Sequence, residues 1–356
     1  MKILISGICG FVGRRLAEGL LDSAADKVEI IGIDNLIRPG AWLNREGLIA
    51  RGVKIIHGDI RQASDIETVG PMDWVLDAAA NPSVLAGVDG KSSSRQLLEH
   101  NLVGTINLLE HCKAYKAGFI LLSTSRVYGI EPLAALKVTA ENDAFVPSPK
   151  QELPVGVSPA GIAETYTTAP PISLYGASKS ASETLALEYG GVFDFPVWIN
   201  RCGVLAGAGQ FGRADQGIFS FWIHSWRAKR PLKYIGFDGT GHQVRDCLHP
   251  LDLVPLLNKQ MQGADSGAPR VVNFGGGAEN SMSLKQLSDW CANRFGPHDI
   301  AADCNPRPFD LPWIVMNSSL AGEVWDWRPE MRIGAVLEEI AKHAEENPEW
   351  LALSAS

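Results

Sequence analysis

The chain has 356 residues, 46% of them hydrophobic and 20% charged, with a formal net charge of −8. That is an ordinary composition for a globular protein in water with a substantial core, in one large domain or two moderate ones. The negative balance argues against a general electrostatic footprint for DNA or RNA but leaves room for a local basic pocket, and no apolar run is long enough to span a bilayer.

The N-terminus passes from Met1-Lys2 straight into an apolar strand pattern over 2–6 (KILIS), without the charged start, long apolar run and cleavage site of a secretory leader. Glycines follow, and then apolar residues at helical spacing over 11–21. Strand patterns recur at 28–34, 53–56, 74–78 and 118–123, with a long helical pattern over 95–115. Nearly continuous apolar strands separated by helices predict an α/β fold whose parallel sheet is covered on both faces. The pattern breaks over 129–172, a stretch rich in Pro, Ala, Glu and Ser that predicts a long loop serving as lid or rim. A helix over 174–189 and a strand over 196–200 restore it. Beyond 201, mixed pieces at 216–229, 232–235, 271–274, 284–295 and 333–343 predict a smaller α/β region closing over the sheet. The six cysteines (Cys9, Cys112, Cys202, Cys247, Cys291, Cys304) are scattered without a C-x-x-C pair. They predict reduced thiols, a cytoplasmic protein and no metal site.

Gly7-Ile8-Cys9-Gly10-Phe11-Val12-Gly13 lies between the first strand and the first helix. Small residues there let the backbone turn sharply and let a pyrophosphate approach the helix N-terminus. Glycines also mark plain turns; the strand before and the helix after favour a dinucleotide site. Asp34 stands about twenty residues further on, at the end of the second strand, where a carboxylate accepts hydrogen bonds from ribose hydroxyls and repels a 2′-phosphate. NAD is therefore expected over NADP. Asp59, after the third strand, is expected to face the adenine. This assigns 1–200 to a dinucleotide-binding domain, to which part of 240–275 returns, and 201–356 mainly to a substrate-binding region.

Tyr175 and Lys179 are four residues apart and project from one face of a helix. A nearby ammonium lowers a phenol's pKa, so that phenolate acts as base near neutral pH. Ser123-Thr124-Ser125 ends the fifth strand, where ligands of open α/β sheets bind. A hydroxyl there can hold a reacting oxygen or simply satisfy a turn.

Taken together, Gly7/Gly10/Gly13, Asp34, Asn101-Leu102-Val103-Gly104-Thr105, Ser123-Thr124 with Val127-Tyr128-Gly129, and Tyr175/Lys179 resemble the extended short-chain dehydrogenase/reductases over nearly the whole chain. The resemblance implies a Rossmann-type doubly wound parallel sheet with a smaller C-terminal α/β substrate-binding region, NAD as cofactor, a nucleotide-sugar substrate and a homodimer. It implies a catalytic group of Thr124, Tyr175 and Lys179; Thr124 is preferred to Ser123 because it stands three residues before Val-Tyr-Gly. Cofactor contacts are implied at Gly7, Gly10, Phe11, Val12 and Gly13 in the turn, and at Asp34 and Asn35 after the second strand. Further ones are implied at Asp59 and Ile60, at Ala78, Ala79 and Ala80, and at Asn101, besides Tyr175 and Lys179. Asp77-Ala78-Ala79-Ala80 departs from the family's usual His-Leu-Ala-Ala run.

Later stretches narrow the resemblance. Gln243-Val244-Arg245-Asp246-Cys247-Leu248-His249 resembles the Arg-Asp-x-x-His run of the family, and Arg307-Pro308-Phe309-Asp310-Leu311-Pro312 the stretch that brings an arginine to the diphosphate in sugar epimerases. Two guanidiniums suit one diphosphate; structural ion pairs to Asp246 and Asp310 are the competing reading. Gly209-Gln210-Phe211-Gly212-Arg213-Ala214-Asp215-Gln216-Gly217, followed by Phe221-Trp222, is similar to the CDP-paratose 2-epimerase (CDP-tyvelose epimerase) subgroup. Substrate contacts are implied at Thr124, Arg201, Gln216, Arg245 and Arg307. Ser125-Arg126 stands where the 4,6-dehydratase branch carries an Asp-Glu pair, which disfavours dehydration. The expected reaction is a redox-neutral epimerisation of a CDP-sugar with NAD kept bound. A UDP-sugar 4-epimerase, another sugar-nucleotide oxidoreductase and a non-catalytic NAD-binding sensor remain as alternatives; joint retention of Thr124, Tyr175 and Lys179 counts against the last.

Overall fold

The computed structural model describes residues 1–23, 28–88, 90, 92–213, 216–263 and 267–355. Ala214 and Asp215 of the 209–217 motif lie outside the described residues. Seven strands form the central sheet: β1 (Lys2–Ser6), β2 (Glu29–Asp34), β3 (Lys54–His57), β4 (Trp74–Asp77), β5 (Gly118–Thr124), β6 (Val197–Cys202) and β7 (Val271–Phe274). Their order is β7-β6-β5-β4-β1-β2-β3, and every pair is parallel. This is the doubly wound Rossmann order, which places a ligand crevice beyond the carboxyl ends of β1 and β4, where the winding reverses.

Alternation along the strands divides the core. Ile3 and Ile5 of β1 face a cluster containing Leu16 and Leu20 of α1 (Phe11–Ser23), whereas Leu4 joins Val75, Leu108 and Phe119 on the other side. α2 (Gly104–Tyr115) and α3 (Ser173–Phe193) cover that second face. Both faces are therefore dry, which is why the strands read as continuous apolar runs.

The single helix expected over 95–115 is three pieces: an α-turn at Ser94–Leu98, a π-helical stretch at Glu99–Val103, and α2. The wide turn sits at Asn101, whose carbonyl accepts from the Thr105 hydroxyl (2.9 Å) and the Ser182 hydroxyl (3.1 Å). Side-chain donors thus take over a carbonyl that a continuous α-helix would bond internally.

The stretch 129–172 is not a structureless loop. It carries a short helix, Ile130–Ala134, and a hairpin of Val138–Glu141 with Ala144–Pro147. Leu133, Ala144, Val157, Ile162 and Tyr166 form a core with Val244, Trp313, Val315 and Met316. Backbone bonds from Phe145 to His242 and from Ile162 to Val315, each 2.8 Å, stitch the stretch to later chain. Its apolar residues contact partners remote in sequence, which local periodicity does not report.

Beyond β6, Val204–Leu205, Val244–Leu248, Ser281–Ser283 and Trp313–Ile314 make a small mixed sheet. The helices Ile218–Arg227, Leu284–Phe295 and α4 (Ile333–Glu346) gather round Trp222, Trp226, Leu337 and Ile340. Other late segments serve the first sheet: β7 extends its edge, and Leu257, Trp325 and Trp327 pack against its α1 face.

Candidate active site

The glycine turn is shaped by steric necessity. Gly7 has φ +65°, and a Cβ there would lie 2.9 Å from the Ala79 Cα. A Cβ on Gly13 would lie 2.3 Å from the Gly7 carbonyl oxygen, so the first turn of α1, with Phe11 and Val12, closes directly over the loop. Gly10 donates its N–H to Gly7 at 2.9 Å. Asp34, at the tip of β2, accepts from the backbone N–H of Cys9 (2.9 Å) and Leu36 (2.8 Å). Burial pushes its carboxyl up, and these backbone bonds oppose that shift. A carboxylate offers about four acceptor sites, so the turn does not saturate it.

The ends of β2 and β3 are tied together by Asn35, which donates to Asp59 at 3.1 Å. Burial alone would raise the Asp59 carboxyl; bonds from Arg61 (2.6 Å at the closest) and Asn35 hold it well below the ordinary range. Ile60 is buried, and its carbonyl accepts from Asn107 at 2.7 Å. On the other side of the crevice, Ala78 and Ala79 donate their N–H groups to the Ser6 hydroxyl at 3.0 Å each, while Ala80 is exposed. Asn101 reaches across to the loop after β4: it accepts from Asn81 N–H at 2.8 Å and donates to the Asn81 carbonyl at 3.1 Å. Its amide also lies 3.1 Å from the Ser178 hydroxyl on α3.

Asp77, the residue that breaks the expected His-Leu-Ala-Ala pattern, is fully buried. It accepts from Ser6 and Thr105 hydroxyls, both at 2.7 Å. Its charge and that of Glu183 bear on Lys179, which is 2% exposed. Burial draws the Lys179 ammonium down, and these carboxylates, with Cys202, resist.

Thr124, at the end of β5, caps the short turn Ser125–Val127 by accepting from Arg126 N–H at 3.2 Å, and it hydrogen-bonds the Tyr175 phenol. Tyr175 is 7% exposed. Burial, with Cys202 adding, raises its phenol to about 12 even though the Thr124 bond and the Arg126 charge oppose the rise. Thr124, Tyr175 and Lys179 are thus gathered at the carboxyl end of the sheet. The charge of Arg126 bears on the phenol, and those of Asp77 and Glu183 bear on the deeply buried Lys179.

The four residues expected on the substrate side, besides Thr124, divide into two pairs. Arg201 is not presented to a ligand. Its guanidinium is buried against Glu183, with Nη2–Oε2 at 2.6 Å, and Glu183 also takes the Ser123 hydroxyl. Two buried opposite charges find each other because neither has water. Gln216 is likewise engaged: with its amide turned so that the oxygen meets Arg38, in the loop after β2, it accepts at 2.8 and 3.0 Å. Arg245 and Arg307 do converge. Arg245 pairs with Asp310 at 2.6 Å, and the charges of Arg245, Arg307 and Asp310 all bear on Arg126. Asp246, by contrast, is fully buried, accepts from Met316 N–H at 3.3 Å, and is raised to about 6 by burial. His249 caps the Pro250–Leu253 turn and meets Glu339 at 3.0 Å.

The profile of the family described as "NAD dependent epimerase/dehydratase family" matches residues 3–275. The chain belongs to that family. It is therefore an enzyme, with NAD as its cofactor, and the crevice fits the group: glycine positions where a side chain would collide, a helix N-terminus for the pyrophosphate, and an unsaturated carboxylate at Asp34. Among relatives, the CDP-paratose 2-epimerase of Salmonella typhi is 31% identical over 82% of this chain and 85% of its own length. The UDP-glucuronate 4-epimerase of Thermodesulfobacterium geofontis is 25% identical over 98% of this chain and 97% of its own. In fold, the chain is similar to the UDP-glucose 4-epimerase of Thermus thermophilus solved with NAD, with TM-score 0.74 at 22% identity, covering 97% and 99% of the two chains. Asp77 and Arg126 stood out in the sequence only as mismatches to expectation, Asp77 for His and Arg126 for a carboxylate, and Glu183 carried no signal there.

Proposed function

We propose that the protein is a CDP-sugar 2-epimerase of the CDP-paratose/CDP-tyvelose type, working by transient oxidation to a keto sugar and re-reduction on the other face. The observation that carries the sugar-nucleotide choice is the 31% identity over 82% of the chain to a CDP-paratose 2-epimerase. The site supports it chemically. Tyr175, as phenolate, takes the proton of the reacting hydroxyl; Thr124 holds that oxygen beside it; Lys179 donates to the nicotinamide ribose. Bound NAD would supply the acceptor, and then the donor, of the sugar hydride. After the ketone has presented its other face, Tyr175 gives the proton back. Asp34 receives the adenosine ribose hydroxyls, and Arg245 with Arg307 receives the diphosphate, since planar guanidinium forks match phosphate oxygens.

UDP-sugar 4-epimerisation is the second reading, favoured by a 25% identical UDP-glucuronate 4-epimerase that aligns over 98% of the chain. Thermal unfolding with saturating CDP, UDP, dTDP or GDP separates the two. A ligand at a hundred times its Kd adds about 2.7 kcal/mol, a clear shift. CDP alone is expected to stabilise; a larger shift with UDP transfers the assignment to the second reading.

The reading includes a cytoplasmic homodimer built on the helices around Asn101 and Tyr175, where Leu98, Val103, Tyr115 and Val192 are exposed. Light scattering of the purified protein checks it, and a monomer mass refutes it. Among the described residues, no helix is long and apolar enough to cross a membrane.

A further inference from the structure

We propose that Arg38 is a positioning residue for NAD: clasped by Phe211 and Gln216, it steadies the loop after β2 and so slows release of the cofactor. This rests on the reading of Asp34 as the acceptor for the adenosine ribose, and it does not depend on which sugar nucleotide is the substrate.

Both ends of the loop are fastened to the crevice. At its start the Leu36 N–H donates to Asp34 at 2.8 Å, and Asp34 also takes the Cys9 N–H of the glycine turn at 2.9 Å. At its far end stands Asn44, 4% exposed, in the helix Leu43–Ala50. Its amide donates to the Cys9 carbonyl at 2.8 Å and accepts from Arg14 of α1 at 2.8 Å. A displacement of the chain between Leu36 and Asn44 therefore pulls on the carboxylate meant for the ribose and on the turn that meets the pyrophosphate.

The middle of the loop is held from far along the chain. Arg38 Nη2 donates to the carbonyl of Phe211, 173 residues later. The same guanidinium meets the side-chain oxygen of Gln216, with its amide turned toward it, at 2.8 and 3.0 Å. Gly40 has φ +85°, and a Cβ there would lie 2.7 Å from the Phe211 ring, so the loop is pressed against that ring. Phe211, 4% exposed, is itself fixed: it stacks on Trp350 with centroids 5.0 Å apart and planes at 14°. The Trp350 indole in turn donates to the Gln210 carbonyl at 2.9 Å. Phe211 and Gln216 belong to the run whose sequence pointed to the substrate, yet both meet the loop after β2. Release of a ligand that needs local opening is slowed by every contact the opening breaks. Opening here breaks the Arg38 bonds, while Trp350 keeps Phe211 from following. The proposed redox-neutral cycle gains from this, since one cofactor molecule must stay in place between oxidation and re-reduction.

The test is release of radiolabelled NAD from the loaded protein into an excess of unlabelled NAD. It compares wild type with Arg38→Met, Arg38→Lys, Gln216→Met and the Arg38→Met/Gln216→Met double variant. Arg38→Met is expected to release NAD about tenfold faster or more, since it loses hydrogen bonds made by a charged donor. Arg38→Lys is expected to recover part of that. The double variant is expected to release NAD no faster than Arg38→Met alone, because both substitutions remove one shared contact. An unchanged rate in Arg38→Met overturns the proposal. So does additivity in the double variant, which marks two independent losses of stability. A Gln216→Met protein that loses CDP affinity at an unchanged NAD rate also overturns it and returns Gln216 to the substrate. If Arg38→Met does not fold, Gln216→Met carries the same prediction by itself. Asp34→Ala checks the reading beneath the proposal. Unchanged release in that variant alone removes Asp34 as the ribose acceptor, and the proposal with it; unchanged release in the Arg38 and Gln216 variants alone removes the brace and leaves Asp34 in its role.

Discussion

Tyr175, the proposed base, shows how the surroundings act on a buried side chain. Its hydroxyl is removed from water and bonded to Thr124, with the charge of Arg126 bearing on it, while the charges of Asp77 and Glu183 bear on the buried Lys179. On the proposed reading, replacing Tyr175 by Phe removes the proton acceptor but not the cofactor cradle. Turnover is expected to fall by about a hundredfold or more with NAD retained, as read by a coupled epimerisation assay and by the nucleotide content of the purified protein. Arg201 gives the opposite expectation. Because Nη2 lies 2.6 Å from Glu183 in the interior, Arg201→Met strands a buried carboxylate. Loss of one partner of such a pair costs about 3–5 kcal/mol. Urea unfolding should show that loss, and the Glu183→Leu/Arg201→Met double variant should regain most of it. A sharp drop in CDP affinity without a loss of stability would return Arg201 to the substrate site.

At the scale of elements, the decisive contact is the approach of α1 to β1. The Cβ of an alanine at position 13 would stand 2.3 Å from the Gly7 carbonyl, a backbone atom that cannot move aside without opening the turn. Gly13→Ala is therefore expected to weaken NAD binding strongly, by an order of magnitude or more in Kd by calorimetry, since the N–H groups that meet the pyrophosphate shift with the turn. The π-helical stretch at Glu99–Val103 plays a comparable part, since it frees the Asn101 carbonyl for the Thr105 and Ser182 hydroxyls while the Asn101 amide grips the Asn81 backbone. The 129–172 stretch binds elements together through Leu133, Val157 and Tyr166, which pack on Trp313 and Met316. It therefore acts as a fixed wall rather than a free flap.

Across the whole molecule, a polar seam joins the first helix to α4 near the C-terminus. Arg15 pairs with Glu339 of α4, Glu339 meets His249, and His343 lies 3.3 Å from His224. Burial depresses both imidazoles, His224 to about 3 with His343 and Arg230 adding to it, and His343 to about 4 with Arg15 and Arg14 adding to it and Glu339 opposing. The free imidazole titrates near 6.5. A folded value below the unfolded one means that the unfolded chain takes up protons first. The stability from these rings is thus full above about 6.5 and is lost as pH falls through the window toward 4 and then 3. Asp246, raised to about 6, acts in the opposite sense: its contribution is full below 3.8 and is lost as pH rises through about 6. The His224→Phe variant separates the two. Urea midpoints at pH 7.5 and 5.0 should differ less in that variant than in wild type, and an equal difference would place the proton uptake elsewhere.

The sequence by itself determined the order of elements in the first half, the glycine turn with Asp34, and the Thr124, Tyr175 and Lys179 set. Each is a local pattern: an apolar run buried on both faces, a turn that tolerates no side chain, two residues one helical turn apart. The tertiary structure decided what depends on which distant side chain lies opposite. Arg201 and Arg245 are both arginines in recognisable runs, yet one faces Glu183 inside the fold and the other Asp310 at the crevice. Asp77 gave only a mismatch until Ser6, Thr105 and Lys179 were seen around it. The 129–172 stretch looked structureless because its apolar residues match partners up to the 313–316 segment instead of a local period. The Arg126 carbonyl, in a short turn, lies against α3 only because Gly176 lets that helix close onto the end of β5. Pairing of charges is a matter of approach in space, and periodicity along a chain carries no record of it.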